Sequence, residues 1–500
     1  MNTQPFETKD RSLYQLRPIY EPMDDVAEQI TTFLLKLFRL PCSGPKLRGY
    51  RVMVSSIIYV AFVVIMKEEK EKQKKKSDRQ PVQLGMAIGN DNWTFFPSVG
   101  AIVGKRVLKA FQTEGFLSLD TDSGKREFYL TDNGKVAYEA IMTRWSLTTK
   151  FRKLLKGKSA HFNETEAPLL IVNELETRGQ KEHRERHGDV KRRLSQADLF
   201  RLFGRETIEE NRERIAAISR YWRKHPLVLP DGNSTSSASR IFSDSSLKVG
   251  GRIYGTWTTL SSDERFKCKI DDEEVIQLDI SASQPTLLSV LLGVKMRHLG
   301  PEDGWIDPYT QLTDLWHFGV SSDQSYEERD AAISRARSIA KAVVMELIGT
   351  GRVEKDNPSD EHVTNFAITQ DEWNFFKTKL RDAIPALEKL EPRYDKQGNP
   401  TGYINGAGFL SFHESEIILK TLEVLRDDWD IPAYPVHDCL IVKASDWDIA
   451  YSIFVQTISS YVEGMTGTKV IVPIKREGGG LPEIRFRGVY NSSSPQHLIP

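Results

Sequence analysis

The pattern of apolar and polar positions along the chain predicts both strands and helices. Two apolar runs, residues 275–280 and 434–442, have the length and composition of buried strands. Apolar positions at helical spacing occur in residues 52–66, 98–111, 208–222, 334–351 and 413–425. The chain is therefore expected to belong to the α+β class.

The N-terminal third contains a helix followed by two short strands. Residues 98–111 are expected to form an amphipathic helix with Ser98 as its N-cap. Two strand candidates, residues 116–119 and 127–130, follow it and are joined by a turn-forming Asp-Ser-Gly sequence, which indicates a hairpin.

This order of elements resembles a winged helix-turn-helix. The resemblance implies that three cations, Lys105, Arg106 and Lys109, lie on or near a recognition helix. It also implies that Lys125 and Arg126 lie on the wing and contact DNA phosphates. Winged helices also serve as protein-interaction modules, and that alternative stays open.

Two aspartates stand at the ends of apolar, strand-like segments. Asp279 closes the first run, and Asp438 interrupts the second. Two carboxylates held on neighbouring strands can bind two Mg²⁺ ions roughly 3.5–4 Å apart for phosphoryl transfer. The competing interpretation is that each is only a turn residue at the end of a strand.

A helical segment between the two aspartates carries a pair of cations. Arg337 and Lys341 are four residues apart and share one face of a helix that ends at a glycine. Two like charges on one face repel unless an anion binds there, and a triphosphate is such an anion.

The ordered set of Asp279, Arg337, Lys341 and the pair His437-Asp438 resembles the motifs of family A DNA polymerases and of single-subunit phage-type RNA polymerases. Asp307-Pro308-Tyr309-Thr310 and the arginines between 252 and 265 also match in order. The resemblance covers roughly residues 240–480. It implies a right-hand palm with an antiparallel sheet, together with helical thumb and fingers.

The resemblance also implies roles for individual residues. Asp279, Asp438 and the main-chain carbonyl of Ile280 would hold two Mg²⁺, for which Mn²⁺ can substitute. Arg337 and Lys341 would bind the triphosphate. His437 would contact the primer end, and Arg252 the minor groove of the primer-template. Glu416 faces the same region by resemblance, with a plain surface acid as the alternative.

Three departures from the family pattern are informative, and the one at Cys439 is shared with the phage-type enzymes, which also lack the glutamate. Gly349 stands where the family has a tyrosine, and Cys439 where the DNA polymerases have a glutamate. Gln284 occupies the position that meets the sugar, where a bulky side chain favours deoxynucleotides. We therefore expect an imperfect preference for deoxynucleotides.

Composition sets looser limits on class and compartment. The chain has 500 residues, 39% of them hydrophobic, and 69 basic residues balance 69 acidic ones. The zero net charge is unusual for a DNA-binding enzyme unless positive charge is concentrated locally. Three scattered cysteines and a start without a signal-peptide pattern predict a reducing, cytoplasmic location. The apolar run 52–66 is shorter than a membrane span, so no membrane partner is expected.

These observations predict five segments. They are an N-terminal extension (1–44), a winged-helix-like DNA-binding domain (45–148), a helical thumb-like region (149–238), the palm and fingers (239–490) and a tail (491–500). The predicted activity is that of a compact DNA-dependent DNA polymerase of a plasmid, phage or similar element, without proofreading, acting on DNA template, primer and nucleoside triphosphates. The alternatives are an RNA polymerase or primase, and a non-catalytic DNA-binding replication or regulatory protein.

Overall fold

The computed structural model describes most of the chain in two compact units. It describes residues 13–15, 19–44, 47–72, 83–86, 99–120, 126–130, 136–140, 143–164, 169–176, 179–180, 191–294, 309, 325–351, 355–389, 392–394, 400–403, 406–470, 472–478 and 484–485. The first unit comprises residues 1–240 and 254–271, and the second comprises residues 241–253 and 272–500.

The first unit mixes helices with short strands. Its helices are Asp25–Leu37, Leu47–Lys72, Ala101–Thr113, Thr149–Leu155, Gln196–Phe203, Arg205–Trp222, the 3₁₀ turn Thr256–Thr259 and Ser262–Arg265. Its strands are Leu13–Gln15, Tyr20–Pro22, Gln83–Met86, Leu117–Leu119, Arg126–Leu130, Val136–Ala140, Thr143–Leu147, Phe162–Glu164, Leu170–Val172, Leu227–Val228, Ser234–Thr235 and Lys269–Ile270.

One hydrophobic core joins the start of the chain to the predicted winged-helix region. It contains Ile19 and Leu34 from the segment expected to be an extension, together with Ile57, Phe111 and Phe151. The helix Arg205–Trp222 has the predicted amphipathic spacing and buries Ile208, Ile215, Ile218 and Trp222. Its charged neighbours at 181–187 lie outside the described residues.

The strands after the helix Ala101–Thr113 do not pair as predicted. Leu117–Leu119 pairs with Thr143–Leu147, whereas Arg126–Leu130 pairs with Val136–Ala140. The alternate residues of Thr143–Leu147 are buried, so that strand offers Leu117–Leu119 a partner with an apolar face. The expected hairpin between the two candidates is therefore wrong, and Arg126 begins a strand.

Two details of the N-terminal helices also differ from expectation. Gly100 is the N-cap of Ala101–Thr113 and makes no side-chain cap bond, while Ser98 lies outside the described residues. The apolar helix is Leu47–Lys72, which is 26 residues long and extends beyond the apolar run 52–66 at both ends. Its Leu47–Glu69 portion is long and apolar enough to cross a membrane, and 67% of its apolar window is buried inside the protein.

The chain passes between the two units within the strands Ser239–Phe242 and Gly250–Tyr254. The helices of the second unit are Ser283–Leu291, Tyr326–Thr350, Asp360–Phe366, Gln370–Ala383, Gly406–Trp429, Trp447–Thr466 and the 3₁₀ turns Pro385–Lys389 and Ala444–Asp446. Its other strands are Glu273–Ile280, Pro392–Tyr394, Pro400–Tyr403, Ala433–Val436, Cys439–Lys443, Ile474–Gly478 and Ile484–Arg485.

An antiparallel sheet lies at the centre of the second unit. The strand Glu273–Ile280, here called the central strand, pairs with Cys439–Lys443 on one side and with Ile474–Gly478 on the other. Ala433–Val436 and Ile484–Arg485 extend the two sides. Helices packed on an antiparallel sheet agree with the predicted α+β class.

The helix Tyr326–Thr350, here called the long helix, has clear stop and start signals. Ser325 and Glu328 form a capping box at its start, and Gly351 ends it with a φ of 64°. It buries Ile339, Val343 and Leu347. The predicted helix 334–351 is thus confirmed and begins eight residues earlier. The predicted helix 413–425 is likewise part of the longer Gly406–Trp429.

Candidate functional site

The sheet brings the two predicted aspartates side by side. Asp279 lies directly opposite Cys439 in the pairing of the central strand with Cys439–Lys443. The amide of Ile280 donates to the carbonyl of Asp438 across 3.2 Å. The two residues are far apart in sequence, and the register of one strand pair makes them neighbours.

Asp438 lies in a tight turn whose first residue has an uncommon backbone. His437 and Asp438 join the paired strands Ala433–Val436 and Cys439–Lys443, and His437 has a φ of 57°. A positive φ costs a residue other than glycine on the order of 1–3 kcal/mol and is concentrated at functional sites. Two-residue hairpins need such a backbone conformation, and this turn places Asp438 beside the central strand.

Burial and repulsion raise the pKa of both aspartates. The pKa of Asp438 stands well above its usual value because burial disfavours the charge, and the carboxylates of Asp279 and Glu414 add to the effect. Burial also raises the pKa of Asp279, although the ammonium of Lys475 opposes it. Negative charge is thus concentrated here at a cost that a cation would relieve.

Lys475 and Glu477 complete the charged surface around Asp279. Lys475 lies directly opposite Asp279 on the strand Ile474–Gly478. Its Nζ is 3.2 Å from Oδ2 of Asp279 and 2.6 Å from Oε1 of Glu477. Neither residue was predicted from the sequence, because their position depends on the register of a third strand.

A buried glutamate that the sequence did not reveal holds Arg252. Glu414 is fully buried on Gly406–Trp429 and accepts from Nε and Nη2 of Arg252 at 2.6 and 3.0 Å. The hydroxyl of Ser283 donates to it across 3.1 Å. Sequence reasoning considered Glu416, two residues away, because helical spacing alone does not show which glutamate faces Arg252. The predicted contact of Arg252 with DNA stays a prediction.

We expect Glu414→Ala to destabilise the protein by about 3–5 kcal/mol, because it leaves a largely buried guanidinium without its carboxylate. Urea unfolding followed by circular dichroism measures this change. Replacing both partners, as in Arg252→Met with Glu414→Leu, should recover most of the loss. The exposed pair Arg381 and Glu388 supplies the control, since Glu388→Ala should cost about 0–1 kcal/mol. A loss below about 1 kcal/mol for Glu414→Ala would contradict the assigned role of this pair.

The long helix presents its two predicted cations to solvent. Arg337 and Lys341 are both exposed, one turn apart, while the residues between them at Ile339 and Ala340 are buried. The charge of Lys341 is close enough to lower the pKa of Asp279, after the larger effects of burial, Lys475 and Glu477. The guanidinium of Arg337 lies 5.7 Å from the ring centre of Tyr309. Asp307 and Thr310 lie outside the described residues.

Two positions that the sequence linked to nucleotide recognition, Gln284 and Gly349, lie on helices of the second unit. Gln284 is buried on the helix that follows the central strand, and its amide oxygen accepts no hydrogen bond from the described residues. A Cβ at Gly349 would meet only Ala407, at 4.0 Å. A side chain at position 349 would therefore begin without a clash, while Gln284 places a polar amide inside the protein.

The donor set around Asp279 and Asp438 fits a hard divalent cation. Carboxylate oxygens are ligands that Mg²⁺ prefers, and a bound cation would offset the burial and the repulsion that raise the pKa of both aspartates. Within the described ranges, no group of three or more His, Cys, Asp or Glu side chains is arranged to hold a metal. The remaining ligands would then come from main-chain carbonyls such as that of Ile280, from water and from substrate.

The first unit has a separate basic surface. Lys105, Arg106 and Lys109 are exposed on the helix Ala101–Thr113, and Arg106 donates to the hydroxyl of Tyr50 across 3.4 Å. Lys125 lies outside the described residues. This surface agrees with the expectation that positive charge is concentrated locally in a chain of zero net charge.

Comparison with known proteins finds similarity to solved structures and none at the level of sequence families or curated proteins. No family model matches the sequence, and no curated protein matches it. Among solved structures, the chain is similar to the POL domain of Pol1 from M. smegmatis, solved in complex with DNA primer-template and dNTP. The two are 12% identical with a TM-score of 0.29, over 60% of this chain and 56% of that one. The likeness is loose.

Proposed function

We propose that the protein is a template-directed nucleotidyltransferase, a compact DNA polymerase of the family A type without proofreading. The observation that carries the proposal is the position of Asp279 near the end of the central strand, beside Asp438 in the turn that precedes the adjacent strand Cys439–Lys443. The same unit contains the exposed cations Arg337 and Lys341 and the buried pair Arg252–Glu414. Phosphoryl transfer needs positive charge of this kind near the metal-binding carboxylates.

The side chains of the site divide the work between them. Asp279 and Asp438, with the carbonyl of Ile280, would hold two Mg²⁺ ions, and Mn²⁺ can replace them. Bound there, the ions would acidify the primer 3′-hydroxyl and neutralise the triphosphate. Arg337 and Lys341 bind the phosphates and stabilise charge on the leaving pyrophosphate. His437 contacts the primer end, and Glu414 keeps Arg252 oriented for the primer-template.

Gln284 supports deoxynucleotides as the main substrate. By the polymerase resemblance, Gln284 stands where a side chain lies against the sugar of the incoming nucleotide. Its side chain also crowds a 2′-hydroxyl. We expect deoxynucleotides to be favoured by roughly 10- to 200-fold, the range that such modest contacts provide.

Primer extension tests the proposal directly. The protein is incubated with a primed DNA template and either dNTPs or rNTPs, with Mg²⁺, with Mn²⁺ and with EDTA. Template-dependent extension by dNTPs that EDTA abolishes is the expected result. Extension mainly by rNTPs would favour the RNA polymerase alternative. No extension under any condition, with DNA binding retained, would favour the non-catalytic protein.

The exposed basic helix face is the observation that favours DNA binding by the first unit. We expect the combined change of Lys105, Arg106 and Lys109 to Gln to weaken duplex binding by the full chain. It should also reduce the slope of log affinity against log salt by about 2–3, because each phosphate contact contributes about 0.9. Fluorescence anisotropy over a salt series measures both.

The matched control removes the same charge from another exposed lysine set of this unit, Lys153, Lys156 and Lys158, again by change to Gln. Its salt slope should stay near that of the natural protein. Equal slopes for both triple variants would point to a protein-interaction module instead.

A further inference from the structure

Lys475 occupies a place where an ammonium group and a metal ion compete. Its Nζ is 3.2 Å from Oδ2 of Asp279, the carboxylate proposed to bind metal. The contact comes from direct cross-strand pairing, so the backbone of two hydrogen-bonded strands sets it. The side chain is only 29% exposed.

Glu477 anchors this lysine from the other side. It lies two residues along the same strand, on the same face of the sheet, and its carboxylate is 2.6 Å from the ammonium. The carboxylates of Asp279 and Glu477 both raise the pKa of Lys475, against the effect of burial. Lys475 therefore keeps its charge.

We propose that Lys475 is a built-in counter-ion of Asp279, which keeps a divalent metal from binding tightly until a nucleoside triphosphate arrives. The inference rests on the proposed function. An ammonium next to a carboxylate repels a dication. It also occupies a carboxylate oxygen that the dication would otherwise use as a ligand. The triphosphate brings negative charge that attracts the metal and gives the flexible lysine another partner, while Glu477 limits how far it moves.

The consequence is an order of binding. Metal alone should bind weakly, and metal with triphosphate should bind well. Because Glu477 holds the ammonium near the site in both states, Lys475 is a positioning residue that controls metal occupancy.

Binding of Mn²⁺ by the full chain, followed by the electron paramagnetic resonance of free Mn²⁺, tests this proposal without turnover. Lys475→Met and, as a second variant, Lys475→Gln should bind Mn²⁺ about tenfold more tightly than the natural protein, as expected when a neighbouring like charge is removed. With a non-hydrolysable α,β-imido dNTP present, the difference should shrink to less than about threefold. Thermal melting confirms that each variant is folded.

Lys443→Met is the matched control. Lys443 is likewise partly buried, and it lies on Cys439–Lys443, the strand on the other side of the central strand from Lys475. Its Nζ is 3.3 Å from the carboxylate of Asp446. Its replacement should leave Mn²⁺ affinity unchanged. Unchanged or weaker Mn²⁺ affinity in both Lys475 variants overturns the proposal. Failure of the proposed function has a different signature: Mn²⁺ binding that is insensitive to Asp279→Asn, with no primer extension.

Discussion

Asp279→Asn and Asp438→Asn are each expected to lower nucleotide incorporation by about a thousandfold or more. An amide has nearly the shape of the carboxylate but cannot supply the negative charge that a hard divalent cation requires. Folding should be intact, because removing one of two repelling carboxylates relieves a cost. Single-nucleotide incorporation on a primed template measures the loss, and anisotropy checks that DNA binding persists.

Glu273→Gln is the control for this pair. Glu273 is a carboxylate at the opposite end of the central strand and accepts from the amide and hydroxyl of Ser445. It should keep nearly full incorporation. If either aspartate variant retained more than about a tenth of natural incorporation, the two-metal assignment would be wrong.

Arg337→Met and Lys341→Met are each expected to reduce kcat/KM for dNTP incorporation by about 10²–10³. Each removes a fixed positive charge from the place where negative charge develops on the leaving pyrophosphate. Methionine keeps the length and the helix propensity of the side chain, so the long helix should be unaffected. Steady-state incorporation at varied dNTP concentration gives the value.

Arg335→Met separates charge from helix effects. Arg335 is on the same helix, two residues before Arg337, and its guanidinium is 2.7 Å from Glu372. Its loss should change stability by about 0–1 kcal/mol and leave kcat/KM nearly unchanged. Equal losses in all three variants would indicate a general weakening of the long helix and would count against triphosphate binding there.

The central strand and the long helix were predictable because their signals are local. Apolar runs mark the strands, and Gly351 marks the end of the helix, where its backbone adopts a φ of 64°. The closeness of Asp279 and Asp438 was an inference from chemistry, which the register of one strand pair bears out. Their roles as metal ligands remain predictions.

Glu414 and Lys475 show where sequence reasoning stops. Glu414 is one of several acids on its helix, and only the packing of that helix shows which of them meets Arg252. Lys475 contacts Asp279 because Ile474–Gly478 pairs with the central strand, and no sequence pattern in these two strands predicts that pairing. The wrong hairpin has the same origin, since Leu117–Leu119 pairs with a distant strand rather than with the next one. Partner choice between short strands is decided by tertiary burial.

The order of strands in the central sheet has a consequence during protein synthesis. Two partners of Glu273–Ile280 come late in the chain, as Cys439–Lys443 and Ile474–Gly478. Such long-range pairing carries a large loop-closure cost and forms slowly. While a ribosome is still making the segments between, the central strand leaves it with neither of these partners. Its buried residues Ile276 and Leu278 are then exposed as an apolar edge. The nascent chain should therefore depend most on chaperones in this interval, before Asp279 and Asp438 are brought together.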